Sequence, residues 1–84
     1  MLTEITELYG KPVYNDKAIL IGEVSDVIVD FEENDIYGLY IERPNPKLVE
    51  NSASICIPFR WIKAIDEIIL LRRFPDFVPA PKEE

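Results

Sequence analysis

Histidine is absent from the chain, and cysteine occurs once, at Cys56. Without imidazole, one copy can assemble neither a Ser–His or Cys–His nucleophile nor a His-bearing metal site. A lone cysteine permits no intrachain disulfide, so nothing points to an oxidising compartment. Glycine is scarce, with 3 residues, and these stand apart from one another, so no glycine-rich phosphate loop exists. Bases are few, with 9 Lys and Arg against 16 Asp and Glu and a net charge of −7. That balance argues against direct nucleic-acid binding, which needs cations to neutralise phosphates. The longest apolar runs, such as Ile68 to Leu71, fall far short of the roughly 20 residues that span a bilayer. The opening residues lack the basic-then-apolar pattern of a secretory leader. The expectation is a cytoplasmic protein with no membrane insertion.

What is present is a globular composition. The 84 residues are 48% hydrophobic, enough for one core and too few for two. A domain of this size buries roughly 60% of its unfolded surface, a thin margin that self-association would widen. Charge is unevenly placed. Residues 1–42 hold ten acids and two bases, whereas residues 43–84 hold six acids and seven bases. The acidic half can attract a basic protein partner; equally, it can serve as a solvated face.

The pattern along the chain predicts strands. Thr3 to Tyr9 reads as a helical turn capped by Thr3, with Gly10 where positive φ is needed. Pro12 opens a short strand, where its missing N–H costs least, and Asn15-Asp16-Lys17 is a turn. Ile19 to Phe31 is a long Val/Ile-rich strand whose phase slips between Val24 and Val27, which predicts a β-bulge near Ser25-Asp26. The polar segment Glu32 to Asp35 connects it to a strand over Ile36 to Arg43, with Tyr37, Leu39 and Ile41 on one face. Pro44 to Ser54 is a loop. Ser54 to Ile57 is a strand ending at Pro58, followed by a tight or 3-10 turn at Phe59-Arg60-Trp61. Ile62 to Ile65 and Ile68 to Arg73 are strands around Asp66-Glu67. About six short strands predict an all-β fold, a small antiparallel barrel or roll over residues 1–73. Residues 74–84, punctuated by proline, form an extended or disordered tail.

Two segments resemble the PRC-barrel domain family. Leu8-Tyr9-Gly10-Lys11-Pro12-Val13, followed by Ile21-Gly22-Glu23-Val24-Ser25-Asp26-Val27-Ile28-Val29-Asp30, is similar to its opening half. Ile57-Pro58-Phe59-Arg60-Trp61-Ile62, followed by Ile65-Asp66-Glu67-Ile68-Ile69-Leu70, is similar to its closing half. The family often has glycine where Asp16-Lys17-Ala18 stand, and Gly-Asp where Asp66-Glu67 stand. The resemblance implies a small docking barrel rather than a catalyst. Its members include the cytoplasmic domain of a photosynthetic reaction-centre subunit, the C-terminal domain of a ribosome maturation factor, and small stand-alone archaeal proteins, some tied to cell division. This chain is most similar to the last group. Gly10, Gly22, Asp26 and Pro58 are the structural motif positions.

Residue by residue, little chemistry assembles. Asp26 interrupts an apolar strand and reads as a carboxylate that accepts backbone N–H groups freed by the bulge. Asp30 lies roughly 13 Å from it at about 3.3 Å per residue, beyond the ~5–9.5 Å of paired catalytic carboxylates. Asp30 to Asp35 is rich in oxygen, but it lacks the central glycine and distal glutamate of a calcium loop. Cys56 reads as a packing or interface residue. Arg60, Arg72 and Arg73 read as ion-pairing partners. Phe59, Trp61, Phe74 and Phe77 are the candidate interface, either capping their own barrel or meeting another chain. The expectation is a non-enzymatic adaptor without cofactor or metal. It would be a homodimer through its C-terminal half, with an unidentified protein partner. The alternative is an RNA-processing or ribosome-maturation accessory.

Overall fold

The computed structural model describes residues 5–33 and 35–80. Seven short strands form two sheets: β1 (Pro12–Tyr14), β2 (Leu20–Glu23), β3 (Asp26–Asp30), β4 (Asp35–Ile41), β5 (Ile55–Pro58), β6 (Ile62–Ile65) and β7 (Ile69–Leu71). The only helical elements among the described residues are 3-10 turns at Ile5–Glu7, Glu50–Ser52 and Phe59–Trp61. The all-β expectation is borne out, with a turn at Phe59–Trp61 as the sequence predicts. Thr3, the expected cap of the first turn, lies outside the described residues.

One sheet has the order β2-β1-β7-β6 and the other β3-β4-β5. Pairing is not antiparallel throughout, because β1 and β7 run parallel, with Val13 opposite Ile69. Pattern alone could not show this, since the two strands are joined through the whole second sheet.

The expected long strand over Ile19 to Phe31 is two strands, and its bulge near Ser25-Asp26 is a corner between sheets. Val24 still belongs to the first sheet: its N–H donates to the Lys11 carbonyl and its own carbonyl accepts from Gly10 N–H. One residue later, Ser25 N–H donates to the Tyr40 carbonyl in the second sheet. The phase slip is real, and Val24 and Val27 are both buried. Its cause is this hand-off, which turns the chain between two layers. Pairing does slip elsewhere, between Val13 and Tyr14, between Ile28 and Val29, and between Ile62 and Ala64.

The slip in β3–β4 corrects a second expectation. Ile28 pairs with Gly38 and Val29 with Ile36, which leaves Tyr37 as the extra residue. A bulged residue loses the alternation of its strand. Tyr37 therefore does not share the face of Leu39 and Ile41; it is 59% exposed while both of those are buried.

The core lies between the sheets. Val27, Leu39 and Ile57 are mutual register partners and all buried. Val13, Ile21, Ile69 and Leu71 close it from the other sheet, and Leu8 from the turn before β1. The sheets pack tightly at Gly22, where a Cβ would stand 2.7 Å from Ile41 Cγ2 and 3.4 Å from Pro44 Cα. Gly10 has φ +81°, the left-handed region that glycine enters without strain. Pro58 ends β5 opposite Gly38.

The loop after β4 protects an edge. Asn45 N–H donates to the Ile21 carbonyl and its side-chain amide to Leu20, so the outer rim of β2 is not left open to pairing.

Candidate protein-interaction surface

The described part of the C-terminal tail, residues 74–80, is held by contacts with the same chain. Val78 pairs with Val49 as a parallel bridge. Val78 N–H donates to Leu48 O, and Glu50 N–H donates to Val78 O, both at 2.8 Å. Ala80 N–H donates to the Glu50 carboxylate. Lys17 Nζ meets Asp76 Oδ1 at 2.7 Å. The ammonium beside Asp76 holds that carboxyl below its ordinary range, and Asp76 raises Lys17 in return.

This docking determines the state of the four candidate interface residues. Phe59, Trp61 and Phe74 are half-buried and packed against the core. Trp61 and Phe74 meet edge to face, with centroids 6.4 Å apart, a favoured aromatic geometry. Only Phe77 of the four is exposed, at 50%. Part of the apolar surplus in the C-terminal half, at Trp61, thus meets its own tail, while Ile68 and Phe77 stay exposed.

The arginines do not form the expected ion pairs among the described residues. Arg72 donates through its guanidinium to the Ile62 carbonyl and through its backbone to Trp61 O. Arg73 lies over the Trp61 ring, 5.5 Å from its centroid, a cation–π contact. These groups serve internal packing.

Asp26 is exposed. Its Oδ1 accepts from Val27 N–H at 2.8 Å and from the Tyr9 hydroxyl at 3.2 Å. The second bond ties the first turn to β3. That bond holds the phenol in its protonated form and so raises Tyr9 above its ordinary value, with desolvation and the negative charge of Asp26 adding to it. Cys56 sits on β5 opposite Tyr40. Partial burial pushes its thiol up, so the reactive thiolate is scarce at neutral pH. Among the described residues no group of three or more His, Cys, Asp or Glu converges as a metal site, and no helix is long and apolar enough to cross a membrane.

Two features remain open to a partner. A groove of about 540 Å³ runs beside β6 and is lined by Glu7, Lys11, Phe59, Lys63 and Asp66 among others. The second is the β3–β4 connection, where Phe31 is 90% exposed. Sequence reasoning missed Phe31 by placing it at the end of a buried strand face. The available signal was its position between Asp30 and two glutamates, where a chain turns and a side chain loses its strand register.

No curated protein matches the chain. The PRC-barrel domain matches residues 3–78. That span contains both sheets, the corner at Val24 and the bridge that anchors the tail, and on it the chain belongs to the PRC-barrel domain family.

Proposed function

We propose that the protein is a non-catalytic adaptor whose work is to hold other proteins. PRC-barrel domains mediate protein interactions, and the observation that carries the reading here is the state of the surface. Large apolar side chains stand exposed at Phe31, Tyr37 and Phe77, while among the described residues no group of three or more His, Cys, Asp or Glu converges. Exposed aromatic side chains that the fold does not bury are available as anchors for a partner. The assembly it serves is of the kind its small archaeal look-alikes imply, a cell-division or similar complex.

The same reading includes a homodimer through the C-terminal half, which is near neutral where the first half would repel its copy. With Phe59, Trp61 and Phe74 drawn into their own barrel, Phe77 is the candidate left to make that contact. The RNA-accessory alternative has less support, because Arg72 and Arg73 are occupied within the chain.

Capture on the purified chain in native extract, with reciprocal capture by each protein found, tests the adaptor reading; binding of nucleic acid without any protein would refute it. Sedimentation equilibrium at micromolar concentration tests the dimer, and a clean monomer mass would remove it.

A further inference from the structure

We infer that the β3–β4 hairpin is the docking element, and that its partner is a protein surface with an apolar pocket rimmed by arginine or lysine. The inference rests on the adaptor reading and adds where the contact is made and with what chemistry.

The described residues of the turn are tied to one another by hydrogen bonds. Asp30 pairs with Asp35 across the hairpin. The Asp30 carboxylate accepts from Glu32 N–H at 3.1 Å and Glu33 N–H at 3.3 Å. This side-chain-to-backbone turn fixes the chain around Phe31. At 90% exposure, that phenylalanine contributes almost nothing to its own fold. An aromatic on a hydrogen-bonded turn loses little backbone freedom on binding, which is what an interface anchor needs.

The surroundings select the partner. From Ala18 to Glu42 the chain holds seven acids and no base. Beside the hairpin lies a hollow of about 350 Å³ lined by Asp30, Glu33, Asp35, Ile36, Tyr37 and Phe59, with Arg60 also on its wall. Three carboxylates outnumber that one guanidinium. Carboxylates next to an aromatic face suit an incoming guanidinium or ammonium, which they bond and the ring stacks upon. Tyr37 reaches this hollow because the bulge turns it outward.

A second copy of this chain is the weaker candidate. The groove beside its β6 sets Lys11 and Lys63 against Glu7 and Asp66, the hollow rimmed by Lys63 and Arg72 also carries Asp16, and the two acidic halves repel. Nucleic acid and anionic lipid are repelled by the same charge.

The test places a photoreactive benzoylphenylalanine at position 31 of the full chain in its native cell, with position 77 as comparison. Crosslinked peptides are identified by mass spectrometry, and the partner is then purified. The expected result is a crosslink from position 31 into a segment where Lys or Arg flanks apolar residues. Affinity for that purified partner falls about tenfold or more for Phe31→Ser. It also falls for Glu32→Lys with Glu33→Lys, and with added salt. Because Phe31 is exposed, its variant keeps the wild-type unfolding midpoint. Crosslinks from position 77 but not 31 overturn the hairpin while leaving the adaptor reading intact. Crosslinks from position 31 only to a second copy overturn it in favour of self-association. Protein crosslinks from neither position, with no captured protein, overturn both readings.

Discussion

The C-terminal tail and the β3–β4 hairpin both carry phenylalanines outside the regular strands, and the chain treats them in opposite ways. Phe74 is folded back edge-on to Trp61, and the tail beyond it is stitched to residues 48–50 by backbone hydrogen bonds. Phe31 is exposed on a turn in which the Asp30 carboxylate accepts from Glu32 and Glu33 N–H. The tail packs Phe74 against the core and leaves Phe77 exposed. The hairpin leaves its aromatic free. An aromatic beside a turn is therefore informative about binding only where the chain supplies nothing to cover it.

The comparison can be broken first in the frame that both regions share. A Cβ at Gly38 would lie 2.7 Å from the Ile57 carbonyl oxygen and 3.0 Å from Cys56 Sγ. The first neighbour is backbone and cannot swing aside. Gly38→Ala should destabilise the β3-β4-β5 sheet by about 3 kcal/mol, at the upper end for overpacking. Denaturant unfolding measures it, and a variant as stable as wild type would mean that β4 and β5 are not this close.

The central test sets Phe74→Ala against Phe31→Ala. Removing the half-buried ring takes away its contact with Trp61 and its cover over the core, and should cost about 2 kcal/mol. Removing the exposed ring should change stability by no more than about 0.5 kcal/mol. Equal losses would mean that the tip is packed in solution and the contrast does not hold.

Much of the framework is legible in the amino-acid sequence, and particular residues say why. Val24 and Val27 are out of phase, and the slip marks a departure from a regular strand at that place. What periodicity cannot show is its kind, since a bulge and a corner leave the same trace and differ only in the hydrogen-bond partner of Ser25. Gly10 and the Phe59–Trp61 turn follow from local chemistry and appear as expected. The parallel β1–β7 pair and the docked tail are long-range facts with no local signature. Phe59, Trp61 and Phe74 stand out because they are aromatic, yet aromaticity does not distinguish a core cap from an interface. Phe31 does not stand out in the same way, because it follows directly on a Val-rich strand pattern and reads as its last residue.

A smaller effect sharpens the picture of the first hairpin. Asn15 is 4% exposed, and its Oδ1 accepts from Lys17 and Ile19 N–H at 2.8 Å each. This turn forces Ala18 to φ 65°, where an L-residue other than glycine is strained. The resembling family often places glycine in this stretch. Ala18→Gly should raise stability by about 0.5–1 kcal/mol, read as an increased denaturant midpoint. No gain would mean that the turn relaxes in solution.

The smallest expected effect concerns the ion pair that ties the tail to that same hairpin. Lys17 and Asp76 are both exposed, so the pair contributes little to stability; its signature is in titration. The Lys17 ammonium lowers the Asp76 carboxyl from its ordinary 3.8, and Asp76 raises Lys17 from its ordinary 10.5. For the lowered carboxyl, the linked stabilisation is present above pH 3.8 and is lost as pH falls through the folded-state value. For the raised amine, it is fully present below 10.5 and is lost as pH rises through the folded-state value. The pair is thus intact across the neutral range and weakens at both extremes. Carboxyl resonances followed by NMR should place Asp76 below 3.8, and Lys17→Ala should return it toward that value. The backbone bonds of Val78 to Leu48 and Glu50 hold the tail independently, so its docking should survive the variant. A tail that detaches when Lys17 is removed would show that charge, not strand pairing and the Phe74 contact, keeps it folded back.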